Sequence, residues 1–266
     1  MENSVETNRD NRGKTTLAII MVVALILPIP FFTAIQLFHL NGLPVYFLQL
    51  ALYLMLYLLA FWGLKKERIP LAINTQKLLE AIGYLLASWL LYVLFLHISG
   101  IAKLPEEIQT LLNIPAWKIG AQILSTWFFV GIAEELLFRG YFLASFKRYL
   151  TQGENRRRTI TTVLITSLFF SLWHLPSRIN SIISGEINFL LLLLSLFVLF
   201  FLGIGYAYLF IRTQNILLVG LVHGVNNFPL IGQETQLSFL ILLAAIVYAE
   251  IARSIMKKKE NISQVQ

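Results

Sequence analysis

Residues 119–146 read IGAQILSTWFFVGIAEELLFRGYFLASF. The stretch is long and apolar enough to cross a bilayer, whose core of about 30 Å takes about 20 residues of helix. Yet Glu134, Glu135 and Arg139 sit near its middle. Ionisable side chains are costly to bury unless paired, so inside a membrane span they mark a candidate functional site. Read as a transmembrane helix, this stretch sets the fold class as all-α, because the same apolar texture recurs along the 266 residues.

Hydrophobic residues make up 57% of the chain and charged residues 13%, where a soluble domain carries about 25% charged residues. Mean hydropathy is +0.72. The composition describes a polytopic membrane protein, read as a single integral membrane domain over residues 1–266. Eight apolar segments stand out: Thr16–Leu37, Pro44–Leu64, Leu79–Ile98, Ile119–Phe146, Thr161–Leu175, Phe189–Ile211, Ile216–Leu230 and Leu237–Ala252. The fifth and seventh are short for a full crossing, which predicts shielding by neighbouring helices.

Basic residues give an independent test of eight crossings. With the N-terminus in the cytoplasm, the inner segments collect Arg9, Arg12 and Lys14, then Lys65, Lys66, Arg68 and Lys77, then Lys147, Arg148, Arg156, Arg157 and Arg158. Arg212 and the group Arg253, Lys257, Lys258 and Lys259 complete the inner set. That is 17 of the 21 Lys and Arg residues. Only Lys103, Lys118 and Arg178 fall outside, and Arg139 lies within a span. This asymmetry predicts a cell-membrane protein with both termini, including Gln266, in the cytoplasm. The net charge of +7 then reflects orientation and contact with anionic lipid. Nucleic acid is not expected as a partner, because the charge is divided among short loops.

There is no cysteine, so disulfides, thiol nucleophiles and Cys-ligated metals are excluded. The outer connection Gly100–Lys118 carries Pro105, Glu106, Glu107 and Pro115 and suits a short interfacial helix, with Trp117 at headgroup level. Pro176 is expected to end or kink the fifth helix before a polar connection, Ser177–Asn188. The leucine run Leu190–Leu194 reads as lipid-facing.

In the fourth segment, Glu135 and Arg139 are four residues apart on one helical face, so an ion pair can offset part of their desolvation. Glu134 is left without a sequence-local cation. A carboxylate so placed suits general acid–base chemistry. The alternative is that both glutamates are structural, bonded to Arg139 and to backbone groups freed at a helix break. His174, in Phe170-Ser171-Leu172-Trp173-His174, reads by itself as a packing residue. His223 and Asn227 lie at i and i+4 on the seventh helix, so they can point into the same cavity. At about 1.5 Å per residue from the cytoplasmic helix ends, Glu134 is roughly 18 Å deep, His174 roughly 20 Å, His223 roughly 10 to 14 Å and Asn227 about 20 Å. Polar groups from three non-adjacent helices at similar depth favour an enzyme. A proton-coupled transporter is the alternative that uses the same residue types, but no inverted repeat of short broken helices is visible. A non-catalytic scaffold or bacteriocin-immunity protein is the other.

These residues carry a resemblance to the CAAX protease and bacteriocin-processing (CPBP, Abi) family of Rce1-like intramembrane endopeptidases. That family is marked by Glu-Glu-x-x-x-Arg, Phe-x-x-x-His and His-x-x-x-Asn motifs on successive core helices. Here they fall on Glu134, Glu135 and Arg139, on Phe170 and His174, and on His223 and Asn227. Gly203 and Gly205 and the pair Arg212-Thr213 extend the match, which covers about 120–229. One departure is Gln214-Asn215, where bacterial relatives often have Gly followed by a small polar residue.

The resemblance implies a bundle of about eight helices whose core encloses a polar catalytic cavity, and hydrolysis of peptide bonds by activated water. It implies Glu134 as general base, His174 helping to orient or deprotonate water, and His223 and Asn227 as oxyanion donors, with Glu135, Arg139 and Phe170 in support. The family is commonly described as metalloproteases, and Glu134, His174 and His223 would form an open zinc shell. There is no His-Glu-x-x-His, and Asn227 beside His223 suits an oxyanion hole, so the reading favours no cofactor, with zinc as the alternative. The implied partner is a peptide or lipidated protein, with prenylated CAAX-type proteins among the candidates.

Overall fold

The computed structural model describes residues 2–40, 42–151 and 154–263; Gln266, whose cytoplasmic placement the charge pattern predicts, lies outside them. The described residues form helices and no strand, and the chain is an all-α polytopic membrane protein. Among these residues, seven helices are long and apolar enough to cross a membrane, and the shorter Ile216–Asn227 makes an eighth apolar helix.

In chain order the helices are α1 (Glu2–Ile26), α2 (Pro28–Leu37), α3 (Leu43–Glu67), α4 (Thr75–Ile98), α5 (Leu104–Leu112), α6 (Ala116–Tyr149), α7 (Asn155–Trp173), α8 (Leu175–Ile183), α9 (Phe189–Thr213), α10 (Ile216–Asn227) and α11 (Phe239–Ser263). The connection 100–118 is helical over Leu104–Leu112, and Trp117 is exposed. Lipid-facing surface is evident on α9, where Leu190, Leu191, Leu193 and Leu194 are exposed while Leu192 is buried.

Two expectations are corrected. The fifth apolar segment is not short: α7 and α8 together span Asn155–Ile183, 29 residues. The Ser177–Asn188 connection begins as helix, because Pro176 occupies the first turn of α8, where its missing N–H costs nothing. Proline here breaks one helix and starts the next.

The residues fall into two compact units, one of Met1–Leu71 with Ala133–Ala207, the other of Ala72–Ile132 with Tyr208–Gln266. The core of the first is aromatic. Phe138 sits edge-on to Phe170 with ring centroids 5.1 Å apart, Phe142 meets Phe169 at 4.9 Å, and Trp173 lies 5.9 Å from Phe138. The Trp173 indole N–H donates to the Ala24 carbonyl at 2.9 Å, so the packing ring is also polar-satisfied, as buried tryptophans require. This cluster fixes α7 against the second half of α6.

The second unit is built on a backbone-to-backbone approach. A Cβ at Gly131 would lie 2.2 Å from the Gly220 carbonyl oxygen, one at Gly220 would lie 2.8 Å from Ile132 Cα, and one at Gly224 would lie 2.3 Å from Trp127 Cα. No side chain fits at any of the three, and their absence lets α10 lie directly on residues 124–132. At the start of α10, Asn215 accepts from the Leu218 amide at 3.1 Å and donates to the Lys77 carbonyl at 2.8 Å. This caps the helix and ties it to α4. Gln214 just before it is forced to φ 49°.

Helix α6 is not uniformly α. Leu124–Ile132 and Leu136–Phe142 are wound as π-helix on either side of the α-turn Ala133–Glu135. A π-helix rises less per residue than the 1.5 Å of an α-helix, so depths counted along α6 at the α-helical rise overestimate the true span. Such winding is rare and recurs at functional sites.

Candidate active site

Glu134 and Glu135 lie in the α-turn between the two π-wound stretches, and both are buried, at 1% and 0% exposure. Their carboxylates do different things. Glu135 Oε1 accepts from Arg139 Nη1 at 2.9 Å, with both side chains fully buried. Arg139 Nη2 donates to the Gly203 carbonyl at 2.9 Å, and the guanidinium lies 4.5 Å from the Phe170 ring and 5.4 Å from that of Tyr206. Two charge-assisted bonds and two aromatic faces surround one cation. The close approach of α9 is possible because residue 203 is glycine: a Cβ there would come within 3.0 Å of Ser167 Cβ on α7.

Glu134 faces elsewhere. Its Oε1 accepts from the Tyr53 hydroxyl at 3.1 Å, and its Oε2 lies 3.7 Å from His174 Nε2. The two oxygens thus point at two different helices of the first unit. His174 is the junction residue between α7 and α8. Its backbone N–H turns to the Ser171 carbonyl at 3.1 Å, leaving the Phe170 carbonyl, its normal helical acceptor, to the ring. His174 Nδ1 takes that carbonyl at 2.9 Å. A carbonyl only accepts, so Nδ1 carries the proton, and in the neutral imidazole Nε2 offers its lone pair toward Glu134. The rings of Phe170 and Trp173 meet the imidazole edge-on at 4.8 and 5.0 Å.

The structure therefore brings together Glu134, Glu135, Arg139, Phe170 and His174. Reading along the chain misses Tyr53, a tyrosine in a leucine-rich helix 81 residues away, and Tyr206 of α9 beside Arg139; Gly203 is marked there only as part of the family resemblance. His223 and Asn227 belong to the second unit. His223 is buried at 4% exposure on α10, three residues after Gly220 and one before Gly224. Asn227 is the last residue of α10 and is exposed, whereas Asn226 beside it is buried.

A zinc centre needs at least three protein ligands. Glu134 and His174 supply two in their unit, and among the described residues no group of three or more His, Asp or Glu side chains is arranged to hold a metal ion.

Residues 116–229 match a family model, described as Type II CAAX prenyl endopeptidase Rce1-like. Neither a curated protein nor a solved structure matches the chain. The matched segment contains all three motifs, the buried Glu135–Arg139 pair and the His174 junction. Residues 116–229 thus form a domain similar to the Rce1-like type II CAAX prenyl endopeptidases, the family that the three motifs resemble.

Proposed function

We propose that this chain hydrolyses peptide bonds of membrane-associated peptides or proteins, prenylated CAAX-type proteins among them, by a water activated at Glu134. The observation that carries the reading is the 3.7 Å approach of His174 Nε2 to Glu134 Oε2, with Nδ1 committed to the Phe170 carbonyl. A carboxylate and an imidazole at this separation can both reach one water lying beside them, so that one draws its proton while the other orients it.

In this mechanism the water oxygen attacks the scissile carbonyl carbon while its proton passes to Glu134, with His174 orienting it. The carbonyl oxygen becomes an oxyanion, and His223 and Asn227, the residues of the His-x-x-x-Asn motif, are its proposed N–H donors. On collapse the C–N bond breaks and the proton held by Glu134 passes to the leaving amine, so the carboxylate is regenerated. Preorganised donors in a dry site are the largest source of rate in such reactions. The chemistry proposed is metal-independent, a reading supported by the lack of a His-Glu-x-x-His sequence and by the pairing of Asn227 with His223 on α10. The chain lies in the cell membrane with both ends cytoplasmic, its basic loops on anionic lipid, and takes no nucleic acid.

The test is Glu134→Gln in purified protein. It keeps shape and a hydrogen-bonding oxygen but removes the base, so cleavage should fall by about 10² or more while the thermal melt is retained. Wild-type turnover by the variant would sink the mechanism, and loss of wild-type activity on chelation, with stoichiometric zinc by elemental analysis, would replace the metal-free chemistry.

A further inference from the structure

Helix α3 lies outside residues 116–229, yet it holds the fourth span, α6, at two levels. At the first, the Tyr53 hydroxyl donates to Glu134 Oε1 at 3.1 Å. At the second, the buried Glu67 carboxylate accepts from Tyr141 at 3.0 Å and from Tyr149 at 2.6 Å. Between them, Gly63 allows the Tyr141 ring to lie on the α3 backbone, since a Cβ there would sit 2.7 Å from the ring. Tyr53 and Glu67 are 14 residues apart, roughly 21 Å along a helix. Their partners follow in the same order on α6, so the lower bonds set the register at which the Tyr53 hydroxyl meets Glu134.

We propose that Tyr53 is a positioning residue for the Glu134 carboxylate, acting with the Glu67–Tyr141–Tyr149 clamp that registers α3. A carboxylate without a tether can rotate about its last bond. With Oε1 held by Tyr53, Oε2 is kept toward His174 Nε2. The proposal rests on the reading of Glu134 as base, and it extends the working site beyond the family-matched segment.

The experiment compares full-length wild type, Tyr53→Phe and Tyr53→His in detergent, using a fluorogenic farnesylated CAAX peptide and its unfarnesylated counterpart. Tyr53→Phe should lower kcat by about 10- to 100-fold, the loss expected for a hydrogen bond to a charged group. KM and the melting temperature should stay near wild type. Tyr53→His, which retains an N–H donor, should recover part of kcat. In the Glu134→Gln background Tyr53→Phe should have no further effect on kcat.

A second readout does not need turnover. Dicyclohexylcarbodiimide enters hydrocarbon and modifies buried carboxyl groups, and its adduct at Glu134 is measured by mass spectrometry. With the carboxylate released from its tether, labelling in Tyr53→Phe should quicken by about threefold or more. If neither peptide is cleaved by wild type but labelling still quickens, the positioning role stands and the endopeptidase reading fails. A folded Tyr53→Phe with wild-type kcat overturns the inference. So does unchanged labelling where no peptide is cleaved, or a loss of kcat that tracks a lowered melting temperature and is not relieved by Tyr53→His.

Discussion

Arg139 Nη1 lies 2.9 Å from Glu135 Oε1, and neither side chain is exposed at all. The same guanidinium reaches the Gly203 carbonyl, so one cation satisfies an acid on its own helix and a backbone oxygen on α9. Arg139→Ala leaves the carboxylate buried and without its cation, which costs about 3 to 5 kcal/mol. The expected outcome is a large fall in yield and melting temperature. Arg139→Lys should recover only part, because a point charge cannot serve both acceptors with a planar fork. Melting curves of the purified variants check both, and a wild-type melt for the alanine variant would remove the pair from the fold's stabilising interactions.

For the oxyanion assignment, His223→Ala and Asn227→Ala should each slow cleavage by the equivalent of about 2.7 to 4 kcal/mol. Neither loss should add fully to that of Glu134→Gln, since the proposed mechanism has all three groups act on one transition state. Full additivity in the double variants would mean that the residues act separately.

The glycines of the second unit give a stability prediction that owes nothing to catalysis. A Cβ at Gly224 meets Trp127 Cα at 2.3 Å and the Thr126 carbonyl at 2.7 Å, atoms that cannot rotate aside. Gly224→Ala should therefore destabilise by about 1 to 3 kcal/mol or more. Gly83, inside α4, has nothing within 4 Å of the place a methyl would take. There Gly→Ala should stabilise by about 0.5 to 1 kcal/mol through helix propensity. Paired melting curves check the opposite signs.

Gln214 occupies the left-handed region at φ 49°, where a residue with a Cβ costs roughly 1 to 2 kcal/mol relative to glycine. Gln214→Gly should raise the melting temperature or leave it level, with the Asn215 cap intact. A marked fall would show that the Gln214 amide, which donates to the Phe210 and Ile211 carbonyls, outweighs the strain.

What can be read along the chain follows the range of the interactions. Helical spans are written in composition, and the Glu135–Arg139 pair is written in a spacing of four, so both are local and legible. The unusual Gln214 is legible as a departure from a glycine, and its positive φ supplies the reason. Tyr53 is not legible: its partner is 81 residues away, and a tyrosine among leucines looks like any interfacial or packing residue. The π-winding of α6 also escapes a periodicity argument, because the apolar residues around Glu134 occur on every side. Gly131, Gly220 and Gly224 look like ordinary membrane glycines until the second backbone is in place. The break at Pro176 is legible, but not the use to which the freed carbonyl is put.

That use makes the α7–α8 junction a template for a tautomer. The choice of which His174 nitrogen bears the proton is written in the main chain, through a carbonyl that the broken helix no longer supplies with an amide. Repairing the helix, by replacing Pro176 with a residue that can donate to the Leu172 carbonyl and continue the turn, would allow the His174 amide to go back to the Phe170 oxygen and so free the imidazole to flip. Such a chain would gain regularity and lose its instruction. A substitution that improves every measure of helix quality would here release the His174 ring, two residues away, without touching a polar side chain.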